Sequence, residues 1–164
     1  MKRTAIKAAK EAAKIILHYY SENVNAISKT NTCDLVTKAD IESENKIISI
    51  IKNKFPNHSI LTEESGEEIH KSDYCWVIDP LDGTNNFYHK FPMFCVSIAL
   101  YKKGKPLIGV VFDPLKKEFF YAEKNEGAYL NDKKINVSSV RSLNKALLVL
   151  GFYYERGLLM RKSL

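Results

Sequence analysis

Two periodicities divide this chain, and the change between them limits the fold more than any other feature. Up to about residue 55 apolar side chains recur every three or four positions; beyond Pro56-Asn57 they fall in short, strand-like runs. Ile6, Ala9, Ala13, Ile16, Leu17 and Tyr20 predict a helix over 3–20 with one apolar face. Ile47, Ile48, Ile51 and Phe55 predict a second over about 39–55, ended by Pro56-Asn57. The intervening 21–37, rich in Ser, Thr and Asn, reads as a loop with room for a short hairpin.

Strands are expected at 59–61, 75–79, 95–101, 107–113 and 118–124. "GAYL" and "KINV" flank Asn131-Asp132 as a further hairpin, and 146–152 should add a last strand. "YYERGLLMRKSL" then reads as a helix that has barely begun. Two helices followed by antiparallel strands make an α+β layered domain, here one unit over 1–164.

A hydrophobic share of 45% over 164 residues supports a sizeable core. No apolar run approaches a membrane span, and Lys7, Lys10, Glu11 and Lys14 interrupt any signal-peptide core near the N-terminus. Cys33, Cys75 and Cys95 form no C-x-x-C pair, which argues against a disulfide framework or a thiolate zinc site and for a cytoplasmic protein. The net charge of +6 would suit an anionic partner, yet the lysines are scattered singly and in pairs, as solvated faces are. A nucleic-acid partner is therefore not expected.

The chemistry concentrates in "WVIDPLDGTNNF" at 76–87. The strand aims Asp79, Pro80 removes a ladder donor and should stop the strand, and Asp82 can swing back beside Asp79. Gly83 allows a tight backbone, and Thr84 is a good N-cap for a short helix. Two carboxylates, the Leu81 carbonyl and backbone N–H groups suit Mg²⁺ and a phosphate oxygen. A capped turn with one solvated Asp would use the same residues. The similar "DPLK" at 113–116 offers Lys116 in place of the second carboxylate and only needs to turn. Glu63 and Glu64 in "LTEES" could complete a cation site or belong to a solvated charge run, and Asp40 sits where a helix cap is usual.

"DLVTKAD" (34–40), "EES" (63–65) and "WVIDPLDGTNNF" (76–87), in this order, resemble the inositol monophosphatase family of magnesium-dependent, lithium-sensitive sugar phosphatases. The resemblance implies a sugar-phosphatase-type layered α/β sandwich, of which this chain is the N-terminal, metal-binding half. It implies that Glu63, Asp79 and the Leu81 carbonyl hold a first Mg²⁺, and that Asp79 and Asp82 hold a second, in a site of two or three ions inhibited by Li⁺. Glu63 and Thr84 would activate water with support from Asp40, and Gly83 and Thr84 N–H groups would hold phosphate. Lys29 and Glu64 would support the site. Oxygen ligands alone suit phosphoryl transfer, which needs charge neutralisation more than a protein nucleophile.

Family members run longer, with a second half carrying a Trp-Asp segment, whereas the one Trp here is Trp76. The expectation is a truncated phosphatase acting on a small sugar or inositol phosphate, as a homodimer, with one sheet face left uncovered. The alternative is a non-catalytic half serving as an interaction or nucleic-acid-binding module.

Overall fold

The computed structural model describes residues 1–22, 26–28 and 35–149. Helix α1 (Lys2–Ser21) leads through a two-stranded hairpin, β1 (Ala26–Ser28) and β2 (Leu35–Thr37), into helix α2 (Lys38–Lys52). Then come β3 (Ser59–Thr62), β4 (Glu67–Glu68), β5 (Tyr74–Asp82), the short helix α3 (Thr84–Tyr88), β6 (Cys95–Lys102), β7 (Lys105–Asp113), β8 (Glu118–Glu123), β9 (Gly127–Leu130) and β10 (Lys133–Ile135). Eight of these strands form one sheet in the order β10-β9-β8-β7-β6-β5-β3-β4, antiparallel except for the β3–β5 pair. The expected α+β layering holds, with helices on a largely antiparallel sheet.

The helices lie side by side on one face, α1 over β6 and β7 and α2 over β5. Beneath them Trp76, Ile78, Val96, Ile98, Leu100, Ile108 and Val110 supply the sheet's half of the core. The buried stripe of α1 is Ala5, Ala8, Ala9, Ala12, Ala13 and Ile16, while Leu17 is exposed and Ile6 and Tyr20 are half-buried. The face predicted through Ile6, Leu17 and Tyr20 is thus rotated towards the alanines. A helix wedged against both another helix and a sheet approaches closely only with small side chains. Helix α2 ends at Lys52, before the predicted 55, and Phe55 folds back with its N–H on Ile51 O.

The opposite sheet face is open, with a shallow apolar recess of about 320 Å³ bordered by Ala99, Gly109, Val111, Phe120 and Ala122. Asn131 and Asp132 both take positive φ (46° and 65°), the turn their side chains tolerate, and close the predicted β9–β10 hairpin. The strand predicted over 146–152 is corrected where described: 146–149 form no strand, and Leu147 is 95% exposed with no ladder partner among the described residues. Residues 150–152 and the predicted terminal helix lie outside the described residues, as do Lys29, Cys33 and Asp34. No described helix is long and apolar enough to cross a membrane.

At the N-terminal end of β5, the His58 ring stacks between Phe55 and Tyr74, each at 4.7 Å. Its Nδ1 accepts the Trp76 Nε1–H at 3.1 Å, which requires a neutral ring. Burial, aided by the chain's amino terminus, holds the His58 pKa below the usual histidine range. A depressed folded pKa contributes stability at neutral pH that is lost as pH falls through about 6.5 and below. His58→Ala, which strands a buried indole N–H, should cost about 1–3 kcal/mol at pH 7.5, and thermal unfolding followed by Trp76 fluorescence should show that cost shrinking at pH 5.

Candidate active site

The β5 strand does not stop at Pro80. It runs on to Asp82, and the register changes on the way, with Asp79 paired to Ser97 and Asp82 to Cys95. Three steps along β5 match two along β6, so β5 carries one extra residue, a bulge at Pro80-Leu81. Side chains alternate along a strand, so residues three apart normally point to opposite faces. Ser97 and Cys95 are two apart on β6, and their partners Asp79 and Asp82 therefore share one face. Leu81 is buried in the core. The bulge brings the two predicted carboxylates together.

Gly83 follows with φ +94°, and a Cβ there would meet Met93 O at 2.9 Å, so only glycine fits. Gly83, rather than Thr84, occupies the N-cap of α3 and makes no side-chain cap bond. The expectation for Thr84 as cap is thus corrected: the bulge brings its hydroxyl to Asp40 and Leu81. Thr84 Oγ1 lies 2.8 Å from Asp40 Oδ1 and 3.0 Å from Leu81 O, and its single proton can serve one of them at a time.

Asp40 caps α2 as sequence reasoning allowed, and does more. Its Oδ2 accepts the Thr37 N–H at 2.8 Å and the Thr37 hydroxyl at 2.6 Å, while Oδ1 reaches Thr84 forty-four residues away. Only 1% exposed, its pKa is raised by burial, opposed by the Thr37 and Thr84 hydrogen bonds.

Glu63 follows β3, and its N–H donates to Ile78 O at 3.3 Å, extending the parallel pairing until Glu63 sits beside Asp79. The Asp79 pKa is pushed up to about 8, first by burial, then by the Glu63 and Asp82 charges and a hydrogen bond with Glu63. Two carboxyls share a hydrogen bond only when one keeps its proton. Such crowding is relieved by a proton or a cation.

One residue escaped sequence reasoning. Glu44, 2% exposed, lies one turn after Asp40 on α2 and accepts the N–H groups of Glu64 and Ser65, each at 3.0 Å, together with the Ser65 hydroxyl. It anchors the "EES" loop to the helix that carries Asp40. A glutamate four residues after Asp40, in phase with Ile47 and Ile51, was the available signal. Glu64 joins the site through its backbone.

Cys95 Sγ lies 3.7 Å from Asp82 Oδ2, and burial with the Asp82 and Asp79 charges pushes the thiol up to about 12. A thiol so shifted is no nucleophile at neutral pH. The turn at 113–116 closes on itself: Asp113 Oδ1 accepts the Leu115 and Lys116 N–H groups, and Lys116 Nζ pairs with Asp113 at 3.0 Å. It nevertheless shares with Asp82, Gly83 and Cys95 a recess of about 310 Å³.

Among the described residues no three His, Cys, Asp or Glu side chains close a metal cage of their own. The donor set still fits Mg²⁺, which keeps most of its waters and takes one or two carboxylates plus ligand phosphate. The raised Asp79 pKa marks where a cation would take the place of a proton.

The model of the inositol monophosphatase family matches residues 1–163. The chain is 44% identical over 163 residues to the Nus factor SuhB of Pasteurella multocida, covering 98% of this chain and 61% of that protein. A solved inositol monophosphatase from Anabaena superposes with a TM-score of 0.82 at 41% identity, covering 94% of this chain and 56% of that one. A solved IMPase/NADP phosphatase, complexed with Mg²⁺ and phosphate, gives a TM-score of 0.69 at 29% identity over 76% of this chain and 48% of that one. The chain thus spans about half to three fifths of the length of these relatives.

Glu44→Ala should cost about 2–3 kcal/mol, since it leaves two backbone donors unpaired. It should also speed amide exchange across 62–66, read by hydrogen-exchange mass spectrometry. Unchanged exchange there would remove Glu44 from the anchoring role.

Proposed function

The chain belongs to the inositol monophosphatase family, and from that premise we propose that it is the metal-bearing half of a Mg²⁺-dependent phosphomonoesterase for a small sugar or inositol phosphate. The observation that carries the proposal is the β5 bulge, which puts Asp79 and Asp82 on one face beside Glu63, with the Asp40–Thr84 pair adjoining. Glu63, Asp79, the Leu81 carbonyl and Asp82 would hold two Mg²⁺ ions, with a third ion or inhibitory Li⁺ as the family resemblance suggests. Bound there, Mg²⁺ supplies charge neutralisation of the phosphate and a lowered pKa for water.

The protein's own part is positioning. Asp40 draws the Thr84 proton, which leaves Thr84 Oγ1 free to accept from a water and orient it, with Glu63 as the base. Gly83 and Thr84 N–H groups face the phosphate. Glu44 and Glu64 keep Glu63 in place, and Lys29 adds positive charge. The family resemblance implies that most contacts to the sugar would come from the part of the relatives beyond this chain's span, and a cytoplasmic homodimer completes the proposal. A second reading, an interaction module without catalysis, draws on the name of the Pasteurella relative.

Mg²⁺ should support phosphate release from inositol 1-phosphate, and Asp82→Asn should lower it by at least about 100-fold. Equal turnover by mutant and parent would sink the assignment. A second measurement does not need turnover. Because the Asp79 pKa is raised from 3.8 to about 8, the unfolded chain loses this proton before the folded one. In chelator, the stability of the parent relative to Asp79→Asn should therefore fall as pH rises from 4 to 8. Mg²⁺ should raise the melting temperature more at pH 8 than at pH 5, and calorimetry in paired buffers at pH 7 should show proton release on binding. Asp79→Asn should abolish both effects.

A further inference from the structure

The lysines that look dispersed in the sequence meet at one end of the sheet. β6 and β7 are joined by Lys103-Gly104, a two-residue turn with positive φ at both positions (50° and 71°). That turn sets Lys102 directly opposite Lys105 in the ladder. Like charges facing each other across an antiparallel pair are unfavourable. Lys124, just past β8, joins them because its backbone N–H donates to Leu107 O at 2.9 Å. With Lys103, Pro106 and Leu107 these three lysines line an open recess of about 240 Å³.

Of the neighbouring carboxylates, Asp73 pairs with Lys103 at the recess itself, at 3.4 Å, and Glu123 pairs with Lys2 at 2.8 Å. Among the described residues Lys102, Lys105 and Lys124 have no carboxylate partner, and Lys102 Nζ lies 5.3 Å from the centre of the Tyr74 ring. Tyr74 begins β5 and Asp82 ends it, so roughly 25 Å of strand separates the lysine recess from the carboxylate site. The molecule is cationic at one end of β5 and anionic at the other.

We propose that this recess binds the phosphodiester backbone of a single-stranded nucleic acid without sequence preference. Lysine ammonium groups act as mobile point charges, suited to phosphates at loosely defined positions. The recess is open, so one hydrated phosphate gains little there, whereas a strand brings several at once and releases its condensed counterions. Base readout is not built in: Tyr74 stacks on His58 and lies beneath Lys102, which leaves it no clear face for a base. The recess lies at the far end of β5 from the carboxylate site, which makes nucleic acid bound there a ligand and not a substrate. This inference does not rest on the phosphatase reading.

The test is fluorescence anisotropy of a short labelled polyuridine with the 164-residue chain. Three lysine contacts predict a slope of about −2 in log affinity against log salt, or roughly fifteen-fold weaker binding between 50 and 200 mM salt. Replacing Lys102, Lys105 and Lys124 together by Gln should remove most of this binding. The same replacement at Lys7, Lys46 and Lys117, which makes an equal change in net charge, should leave most of it. Circular dichroism should show both variants folded, and Mg²⁺-induced stabilisation should be unchanged in both. Binding that ignores salt, equal loss in the two triple variants, or competition by polyglutamate as effective as by polyuridine would each overturn the proposal.

Discussion

One extra residue in β5 sets the geometry on which the candidate site depends. A regular strand would carry Asp79 and Asp82 to opposite faces, one towards the helices and one away from them. The bulge at Pro80-Leu81 shifts the register against β6, buries Leu81 and leaves both carboxylates on one face. The same irregularity delivers the chain to Gly83 in a left-handed conformation, and from there Thr84 reaches back to Leu81 and across to Asp40.

The charge gathered this way is held against its own repulsion by α2. Asp40 and Glu44, one turn apart and both buried, each bind a segment distant in the sequence: Thr84 for the first, the 64–65 backbone for the second. Helix α2 is in turn pressed onto β5 and α1, with Ile47 and Ile51 in the core. The site is therefore a corner where a capped helix end, a bulged strand and a short loop meet. The Asp79 carboxyl, crowded by Glu63 and Asp82, keeps a proton that a cation would replace.

Much of this was legible in the residues. The helix-to-strand change of period, the Asn131-Asp132 turn and the acidic stretch at 79–84 all act through neighbours a few positions apart. The misreadings share a different cause. The alanine face of α1 is chosen by how closely α2 and the sheet approach it, which the helix's own periodicity does not contain. Pro80 removes a donor, but whether a strand ends or bulges there depends on its partner β6. Glu44, for which no role was expected, gains one only when the 64–65 backbone is placed against it, and 146–149 read as a strand although no described strand pairs with them.

The sequence by itself therefore determined the kinds of elements, their order, and which side chains could bind a cation or cap a helix, because those properties are set by local sterics and by each residue's own chemistry. The tertiary structure alone decided that Asp79 and Asp82 share a face, that Thr84 serves Asp40, and that Lys102, Lys105 and Lys124 form one recess. Each of those outcomes rests on strand register or on contacts between distant segments. A shift of one residue in register reverses which face a side chain takes, and no local pattern records that shift.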